Sequence, residues 1–414
     1  DNVFAGALVP AALDGSLLPT GQEIKSGKLR GVVSDGMLCS GEELMLTEEE
    51  YPGAGVYGIL ILKPDCVIGA DMKEVLGRND CIIDFKVTPN RPDCLCALGI
   101  AREISVMLKK PFNKPVVSGA NKGGEIESFA KVEVRDQELC PRYTARVIRG
   151  CKVGPSPDWM VERLAAIGQR SVNNIVDVTN YILFLFGQPL HAFDLAKLKN
   201  ADGLAHIVIR AAQEGEKLTT LDGEDRVLTS DMTVISTPEQ GAVALAGVMG
   251  GLDTEVTEET VDILLEAATF EAGRTSRTSR NLGLISESSM RYERGVDDHG
   301  VEARSAAAAA LIVEVAGGTV SAAAADDQGI IDVWPEPSTA AQLKFRIPRF
   351  RSMMGAQIPR EFIVEILERL GCKVEDTADE DVRDVVSPTF RPDLPREIDL
   401  YEEVLRLYGM DLIP

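Results

Sequence analysis

The sequence lacks the long apolar runs that membrane spans require. No uninterrupted run reaches the roughly 18 to 20 apolar residues of a membrane-spanning helix. The chain has 8 cysteines and 3 histidines, and no two cysteines form a Cys-x-x-Cys pair, so the common zinc-site patterns are missing. The first ten residues, DNVFAGALVP, show neither a secretory signal nor a starting Met. We therefore expect a cytoplasmic chain with reduced cysteines, no membrane association and a shortened start.

Basic residues are scarce relative to acidic ones. The 65 Asp and Glu residues outnumber the 43 Lys and Arg residues, which gives a formal net charge of -22. Such a surplus, if evenly spread, repels a phosphate backbone and disfavours tight nonspecific binding of nucleic acid, although a local basic strip is still allowed. The length of 414 residues predicts two to four domains, each able to bury its own core.

The pattern of apolar residues predicts an α+β chain of several domains. Residues 1–77 alternate β-rich runs such as YGILIL with Gly and Pro, as a small barrel or sandwich would, so we expect mostly strand there. A helix should follow TPNRPD, with Asp93 as its N-cap, and a Gly-rich linker should follow at residues 113–128. Strands alternate with helices in the middle of the chain, and a strong helix is predicted over residues 301–318.

The last part of the chain is predicted to be small and mainly helical. PREFIVEILERLG carries one apolar stripe, with Pro359 in its first turn and Gly371 at its end. A strand is expected at DVVSPTF, and a final helix at REIDLYEEVLRLYG, closed by Gly409.

Acidic residues cluster around that final helix. If the helix begins near Glu397, then Asp399, Glu402 and Glu403 project from one face, and Asp393 lies in the turn before it. Converging carboxylates suit a hard cation such as Mg²⁺. The alternative is that they are solvated or stabilise the helix dipole. The phrases TPNRPD and SPTFRPD each precede a helix, and we interpret this echo as shared capping.

Several phrases together carry a family resemblance. They occur in the family's order and cover essentially the whole chain: TPNRPDCLCALGIARE, VDVTNYILFLFGQPLHAFD, ALAGVMGG, LLEAATF, SRNLGLISESSMRYERGVD and EEVLRLYG. In them the chain resembles the bacterial-type phenylalanyl-tRNA synthetase β subunit. The resemblance implies a class II aminoacyl-tRNA synthetase built as an (αβ)₂ heterotetramer. Its α subunit would use ATP to attach phenylalanine to tRNA(Phe), and the β subunit would add editing, tRNA contacts and scaffold.

The resemblance also implies a domain plan. Residues 1–77 would be a partial OB-type tRNA-binding domain, 78–128 a connecting helix and linker, 129–335 the editing domain, and 340–414 a small helical domain akin to DNA-binding modules. Chains of the family begin earlier and continue further, so we expect truncation at both ends and, for this chain alone, at most an editing hydrolase. ATP would bind the α subunit. A Mg²⁺ site shared with that subunit would use Asp393, Asp399, Glu402 and Glu403.

The chemistry of phenylalanine selection explains why such an enzyme would edit. A pocket that accepts phenylalanine rejects tyrosine only weakly, whereas a second pocket with a buried acceptor for the phenol hydroxyl can select tyrosine strongly. By resemblance the acceptor is Glu266, and small residues let the ring and the ester approach the backbone: Ala246 and Gly250. The residues around the aminoacyl ester and an attacking water would be Thr179, Asn180 and His191.

Each of these residues also has an ordinary interpretation. A Thr-Asn pair is a common cap or turn, a lone His can bond backbone in a loop, Glu266 could be an ion-paired strand residue, and AGVMGG could be a tight turn. A second function stays open, a scaffold that docks the α subunit and tRNA without editing. A third, a free-standing editing protein, is disfavoured because such a protein would not need a metal site that faces another subunit. We find no phosphate loop, dinucleotide-binding motif or nucleophile elbow in the sequence.

Overall fold

The computed structural model describes residues 2–48, 50–115, 122–322 and 329–413. It separates into two compact units, Asp1–Asp84 and Phe85–Pro414. Residues 116–121 of the predicted linker lie outside the described residues, and the four-part domain plan stays a prediction. Among the described residues, no helix is both long enough and apolar enough to cross a membrane.

The first unit contains little regular structure. Its elements are β1 (Ala11–Leu13), β2 (Gly27–Leu29), β3 (Val32–Ser34), β4 (Gly36–Leu38) and α1 (Met72–Val75). β1 pairs with β4 and β2 with β3, both antiparallel. The prediction that this region is mostly strand is wrong. The run YGILIL buries Leu60 and Leu62 but makes only isolated bonds, from Leu60 N to Cys39 O and from Leu62 N to Leu8 O, so no ladder forms.

The second unit holds the other helices and two larger sheets. Its helices are α2 (Ala97–Met107), α3 (Asp158–Ala166), α4 (Asn174–Phe186), α5 (Leu195–Leu198), α6 (Ala272–Leu282), α7 (Glu287–Arg294), α8 (Val301–Ala316), α9 (Ile347–Met354), α10 (Arg360–Arg369) and α11 (Glu397–Tyr408). The predicted helices at 301–318, at PREFIVEILERLG and at REIDLYEEVLRLYG are confirmed as α8, α10 and α11. Pro359 stands at the N-cap of α10 rather than inside its first turn.

The strands of this unit form three sheets and a hairpin. They are β5 (Lys122–Glu125), β6 (Ala130–Val134), β7 (Arg142–Arg149), β8 (Leu190–Asp194), β9 (Ala205–Ala211), β10 (Lys217–Thr219), β11 (Asp225–Val227), β12 (Thr233–Thr237), β13 (Gly241–Leu245), β14 (Met249–Gly250), β15 (Ile263–Thr269), β16 (Thr319–Ala322), β17 (Ile331–Val333), β18 (Gln342–Arg346), β19 (Lys373–Asp376) and β20 (Val382–Val386). The first sheet has the strand order β14-β13-β12-β9-β6, and the second has the order β5-β16-β7-β15-β8, with β17 also paired with β7. The third, smaller sheet has the order β18-β20-β19, and β10 and β11 form the hairpin. The predicted strand at DVVSPTF is confirmed only for its first three residues, which lie in β20; residues 387–390 are not in a strand.

Strand β15 lies at the centre of the mixed region, and all seven of its residues are buried. Successive side chains of a strand point to opposite faces. Ile263 and Leu265 pack in a core with helices α4 and α8, whereas Leu264 and Ala268 pack between the two sheets. Glu266 belongs to the second set by alternation, so its side chain points between the sheets.

Helix α4 is anchored by polar side chains at its start. Asn173 caps it by accepting bonds from the backbone N–H groups of Ile175 and Val176. One turn later, the fully buried Asp177 accepts bonds from Ser156 Oγ and Ser171 Oγ, each 2.5 Å, and from Val172 N at 2.8 Å. Three donors satisfy this buried carboxylate without a cation, and they fix the helix against the segments before it.

The two Arg-Pro-Asp phrases form ion-paired units rather than caps. Arg91 binds Asp93 through two bonds of 2.9 Å and Glu103 through one of 2.5 Å. Arg391 repeats this pattern 300 positions later, binding Asp393 at 2.8 and 2.9 Å and Glu403 at 2.8 Å. The prediction that Asp93 caps the first helix is therefore wrong, because Arg91 holds its carboxylate and Cys96 is the N-cap. The echo in the sequence marks a repeated ion-paired turn before α2 and α11.

Candidate active site

A small cavity of about 50 Å³ lies between the two sheets of the mixed region. That volume holds a few water molecules. Its walls come from β8, β12 to β15 and α7, and the residues that line it are Pro189, Leu190, His191, Ile235, Ala244, Leu245, Gly247, Val248, Met249, Gly250, Glu266, Ser288 and Tyr292. Most of these side chains are apolar, and the few polar ones therefore decide what the cavity can bind.

Glu266 is the single acidic residue among those that line the cavity. It lies on β15 directly opposite His191 of β8, and it is only 5% exposed. Its carboxyl group makes no hydrogen bond or ion pair with the residues the structure describes. Burial raises the pKa of Glu266 from 4.5 to about 8. At neutral pH this side chain is therefore mostly a neutral carboxylic acid, able to accept and to donate a hydrogen bond.

His191 forms the opposite side of the polar patch. Its Nε2 atom is buried without a hydrogen-bond partner among the described residues. Burial lowers the pKa of His191 from 6.5 to about 4, so the imidazole is neutral at pH 7. Its ring stands edge-on to Phe193, with centroids 4.4 Å apart. A neutral imidazole held in this way keeps one nitrogen as a proton acceptor.

Gly250 gives His191 its space. A Cβ atom at this position would lie 2.4 Å from His191 Cε1 and 2.6 Å from its Nε2, closer than real contacts allow. Gly247, in the turn before β14, has a φ of 72°, and a Cβ there would lie 2.9 Å from Tyr292. The AGVMGG phrase is therefore both a turn and a wall of the cavity, and its glycines are required by close contacts.

The cavity also contains polar residues that the sequence analysis did not select. Tyr292 and Ser288, both on α7, line the wall of the cavity. The hydroxyl group of Tyr292 donates a hydrogen bond of 3.1 Å to Ala268 O. Gln188 precedes the lining residue Pro189 but does not itself line the cavity; it donates to Pro189 O and Ala268 O, each at 3.0 Å, while its Oε1 lacks a partner among the described residues. The phrase ESSMRYERG contained Ser288 and Tyr292, but nothing in its spacing marked them as cavity-facing.

The structure brings together some predicted site residues and leaves others outside the cavity. Glu266, His191 and Gly250 line it. Ala246 is not a lining residue, although both of its neighbours are. Thr179 and Asn180 lie on α4 and are also absent from the lining, and the Thr179 hydroxyl donates to Val176 O at 2.7 Å. The roles assigned to these residues stay predictions.

The acidic residues near the final helix do not crowd together as expected. Asp399 pairs with Arg396 at 2.8 Å, and Asp393 and Glu403 pair with Arg391. Glu402 is exposed and makes no ion pair with a described residue. The expectation that four like charges converge is therefore corrected, because arginines pair with three of the four carboxylates. As arranged here the four carboxylates do not fit Mg²⁺, and the shared Mg²⁺ site stays a prediction.

Glu403 shows how strongly these arginines act. Burial alone would raise its pKa, but bonds from Arg406 and Arg391 outweigh burial and lower the pKa of Glu403 to about 2. Arg406 also binds Glu103 of α2 at 2.7 Å. The ion pairs thus connect α2 with α11.

One further group of possible metal ligands exists among the described residues: Asp93, Cys94 and Glu103. The guanidinium of Arg91 already bonds all three, with Nη2 at 2.9 Å from Asp93, 3.2 Å from Cys94 and 2.5 Å from Glu103. Burial, followed by the charge of Asp93, raises the pKa of Cys94 to about 12, which disfavours the thiolate that metals bind. Arg91 is the cation of this group.

Comparison with protein families matches two regions of the chain. Residues 139–317 match the model described as B3/4 domain, and residues 343–410 match the tRNA synthetase B5 domain. The cavity lies entirely within the first match.

Comparison with curated proteins covers the whole chain. Proteins named phenylalanine–tRNA ligase beta subunit are 44% identical over 413 residues in Moorella thermoacetica, 46% over 418 in Syntrophotalea carbinolica and 45% over 415 in Geobacter sulfurreducens. Each alignment covers 100% of this chain and 49 to 50% of the relative, so the chain spans about half the length of the curated relatives it matches. A crystal structure of an N-terminal fragment of the Pyrococcus horikoshii phenylalanyl-tRNA synthetase beta-subunit is 17% identical, with a TM-score of 0.39, covering 78% of this chain and 85% of that one.

Proposed function

Because this chain belongs to the bacterial phenylalanine–tRNA ligase beta-subunit family, we propose that its central cavity hydrolyses tyrosine wrongly attached to tRNA(Phe). The observation that carries the proposal is Glu266, a buried acid without an internal partner at the wall of an otherwise largely apolar cavity. Burying such a group costs free energy, and a ligand hydroxyl that bonds it recovers part of that cost.

Selection between the two amino acids would rest on this one side chain. A tyrosyl hydroxyl would bond the Glu266 carboxyl group, whereas a phenyl ring would leave it unpaired and cost about 1 to 3 kcal/mol. Apolar residues such as Ile235 and Leu245 would contact either ring equally. Glu266 would therefore discriminate, and the apolar wall would contribute binding that both rings share.

His191 would act on the ester side of the site. With its pKa lowered to about 4, the imidazole is neutral at pH 7 and its unpartnered Nε2 can accept a proton from an attacking water. Thr179 and Asn180 would then act from α4, and Ala246 from the turn, as the resemblance implies. The cavity of about 50 Å³ must widen to admit a ring, and we expect the half-buried Met249 at its wall to move.

The remaining parts of the proposal concern the larger assembly. We propose that the chain works with a phenylalanine–tRNA ligase α subunit that binds ATP, within an (αβ)₂ heterotetramer in the cytoplasm. It would contact tRNA(Phe) through its first unit and its small C-terminal part. Mg²⁺ at Asp393, Asp399, Glu402 and Glu403 would require the α subunit to displace the arginines that hold three of them.

Deacylation of Tyr-tRNA(Phe) tests the proposal, both for the chain alone and for its complex with the α subunit. We expect Glu266→Ala to reduce hydrolysis of Tyr-tRNA(Phe) at pH 7 by about two- to tenfold, since it removes a neutral hydrogen bond of about 0.5 to 1.5 kcal/mol. The control is Glu259→Gln, an exposed acid in the loop before β15. Hydrolysis that persists unchanged in Glu266→Ala contradicts the role of Glu266, and absence of hydrolysis in the unaltered complex favours the non-editing scaffold.

A further inference from the structure

A second and larger cavity, of about 360 Å³, lies in the Phe85–Pro414 unit, away from the cavity of Glu266. It opens where α2, the segment after α7 and the turn before Arg391 meet, and it is lined by residues that include Gly99, Arg102, Phe186, Phe270 and Phe390. None of its lining residues lines the smaller cavity. Its volume falls within the roughly 300 to 1,000 Å³ of small-molecule sites.

Arg102 is the unusual residue of this cavity. It is only 8% exposed, yet its guanidinium makes no hydrogen bond or ion pair with a described residue. Its guanidinium carbon lies 3.8 Å from the ring centroid of Phe390 and 5.3 Å from that of Phe112. These rings hold the planar group, but they satisfy none of its five N–H donors. A buried cation with unused donors is costly unless something supplies an acceptor.

The other charged groups of the cavity have partners or lie at its edge. Arg304 pairs with Asp297 at 2.8 Å, and Asp93 pairs with Arg91. Asp298 and Glu336 line the cavity without an ion pair among the described residues, and Glu336 is exposed. A group with one negative charge therefore complements Arg102 best, because these acids repel a doubly charged group such as phosphate more strongly.

We propose that this cavity binds a small organic monocarboxylate whose carboxylate bonds the guanidinium of Arg102 and whose apolar body contacts Phe186 and Phe270. A carboxylate matches the planar fork of a guanidinium and can form two parallel bonds with it. The single charge of the ligand balances the single unpaired cation. The aromatic side chains supply the apolar contact that an aliphatic or aromatic body requires.

The test uses the full 414-residue chain and three probes: 3-phenylpropionate, its neutral amide and inorganic phosphate. Titration calorimetry should give saturable binding of 3-phenylpropionate, with the amide and phosphate each weaker by about tenfold or more, the change expected for losing a charge-assisted bond. Arg102→Met should lose binding by a similar factor, and Arg102→Lys, which keeps the charge but not the fork, should bind with intermediate affinity.

Folding and location are checked independently. Because the guanidinium of Arg102 makes no hydrogen bond or ion pair with a described residue, and Met keeps an apolar contact with the ring of Phe390, Arg102→Met should unfold thermally no more easily than the unaltered chain. Amide chemical-shift changes caused by 3-phenylpropionate should centre on Gly99, Gly187 and Thr389. Equal affinities for acid and amide, unchanged binding by a folded Arg102→Met, no saturation by millimolar 3-phenylpropionate, or shifts centred on Gly247 and Gly250 would each overturn the proposal.

Discussion

Replacing Glu266 with Gln should change how the stability of the chain depends on pH. The substitution keeps the size of the side chain and removes its titration. Burial raises the pKa of Glu266 from 4.5 to about 8, so between these values the folded chain binds a proton that the unfolded chain has released. In that window the stability of the unaltered chain falls as pH rises, and the contribution of Glu266 is fully unfavourable only above the folded pKa.

The magnitude follows from the size of the shift. One pKa unit corresponds to about 1.36 kcal/mol, so a shift from 4.5 to about 8 gives a cost of about 3 kcal/mol at pH 7 and about 5 kcal/mol above pH 8. Glu266→Gln should therefore gain stability relative to the unaltered chain by these amounts as pH rises from 5. At pH 7 the gain corresponds to roughly 6 to 12 °C in the melting temperature of the domain.

The assay is the melting temperature of the two chains between pH 5 and pH 9. His191 also titrates, with the opposite sign. Its folded pKa of about 4 lies below its ordinary 6.5, so its stabilisation is present above 6.5 and is lost as pH falls towards 4. This term is common to both chains and cancels in their difference. The matched control is Glu259→Gln, which removes an exposed carboxyl group in the loop before β15. A Glu266→Gln difference that stays flat from pH 5 to pH 9 would refute the reasoning.

Three further predictions concern the cavity and its support. Gly250→Ala should lower hydrolysis of Tyr-tRNA(Phe) by about tenfold or more, since the new methyl group displaces His191, while Gly154→Ala, which meets no atom within 4 Å, should leave it unchanged. Arg391→Met should destabilise the chain by about 3 to 5 kcal/mol in denaturant titrations, because it leaves the largely buried carboxylate of Asp393 without a cation among the described residues, and equal stability of the variant would contradict this. Asp177→Ala should cost about 1 to 3 kcal/mol by leaving its donors unpaired, and a loss below 0.5 kcal/mol would argue against it.

The helices with strong apolar stripes could be predicted from the sequence, and the first unit could not. In α10 the spacing of Ile363, Ile366 and Leu367 defines a face that any packing partner must bury. In the first unit the run YGILIL has strand composition, but composition does not supply the neighbour that a ladder needs. Strand structure depends on pairing with distant residues, whereas helix bonds are local, and the prediction failed where that difference matters.

The candidate site shows the same limit at the level of side chains. The resemblance selected Glu266, His191 and Gly250, and these line one cavity. It did not select Tyr292 or Ser288, because their approach to the cavity follows from how α7 packs against the sheets. The acidic residues near α11 were misjudged for a related reason. Their spacing along the helix was clear, but the arginines that neutralise them come from the preceding turn, the N-cap and the next helical turn, so charge could not be judged from one face alone.

Burial shifts the two titrating groups of the cavity in opposite directions and thereby leaves the site without charge. His191 is neutral above about pH 4 and Glu266 below about pH 8, so neither carries charge over most of the interval between. Recognition of a phenol in that interval would rest on a hydrogen bond to a neutral acid, and water activation on a neutral base. Above about pH 8 the ionised Glu266 would accept the phenol bond more strongly while destabilising the empty fold. As pH rises, the affinity for the ligand would therefore increase while the stability of the unliganded chain decreases. Both changes follow from the ionisation of one buried carboxyl group.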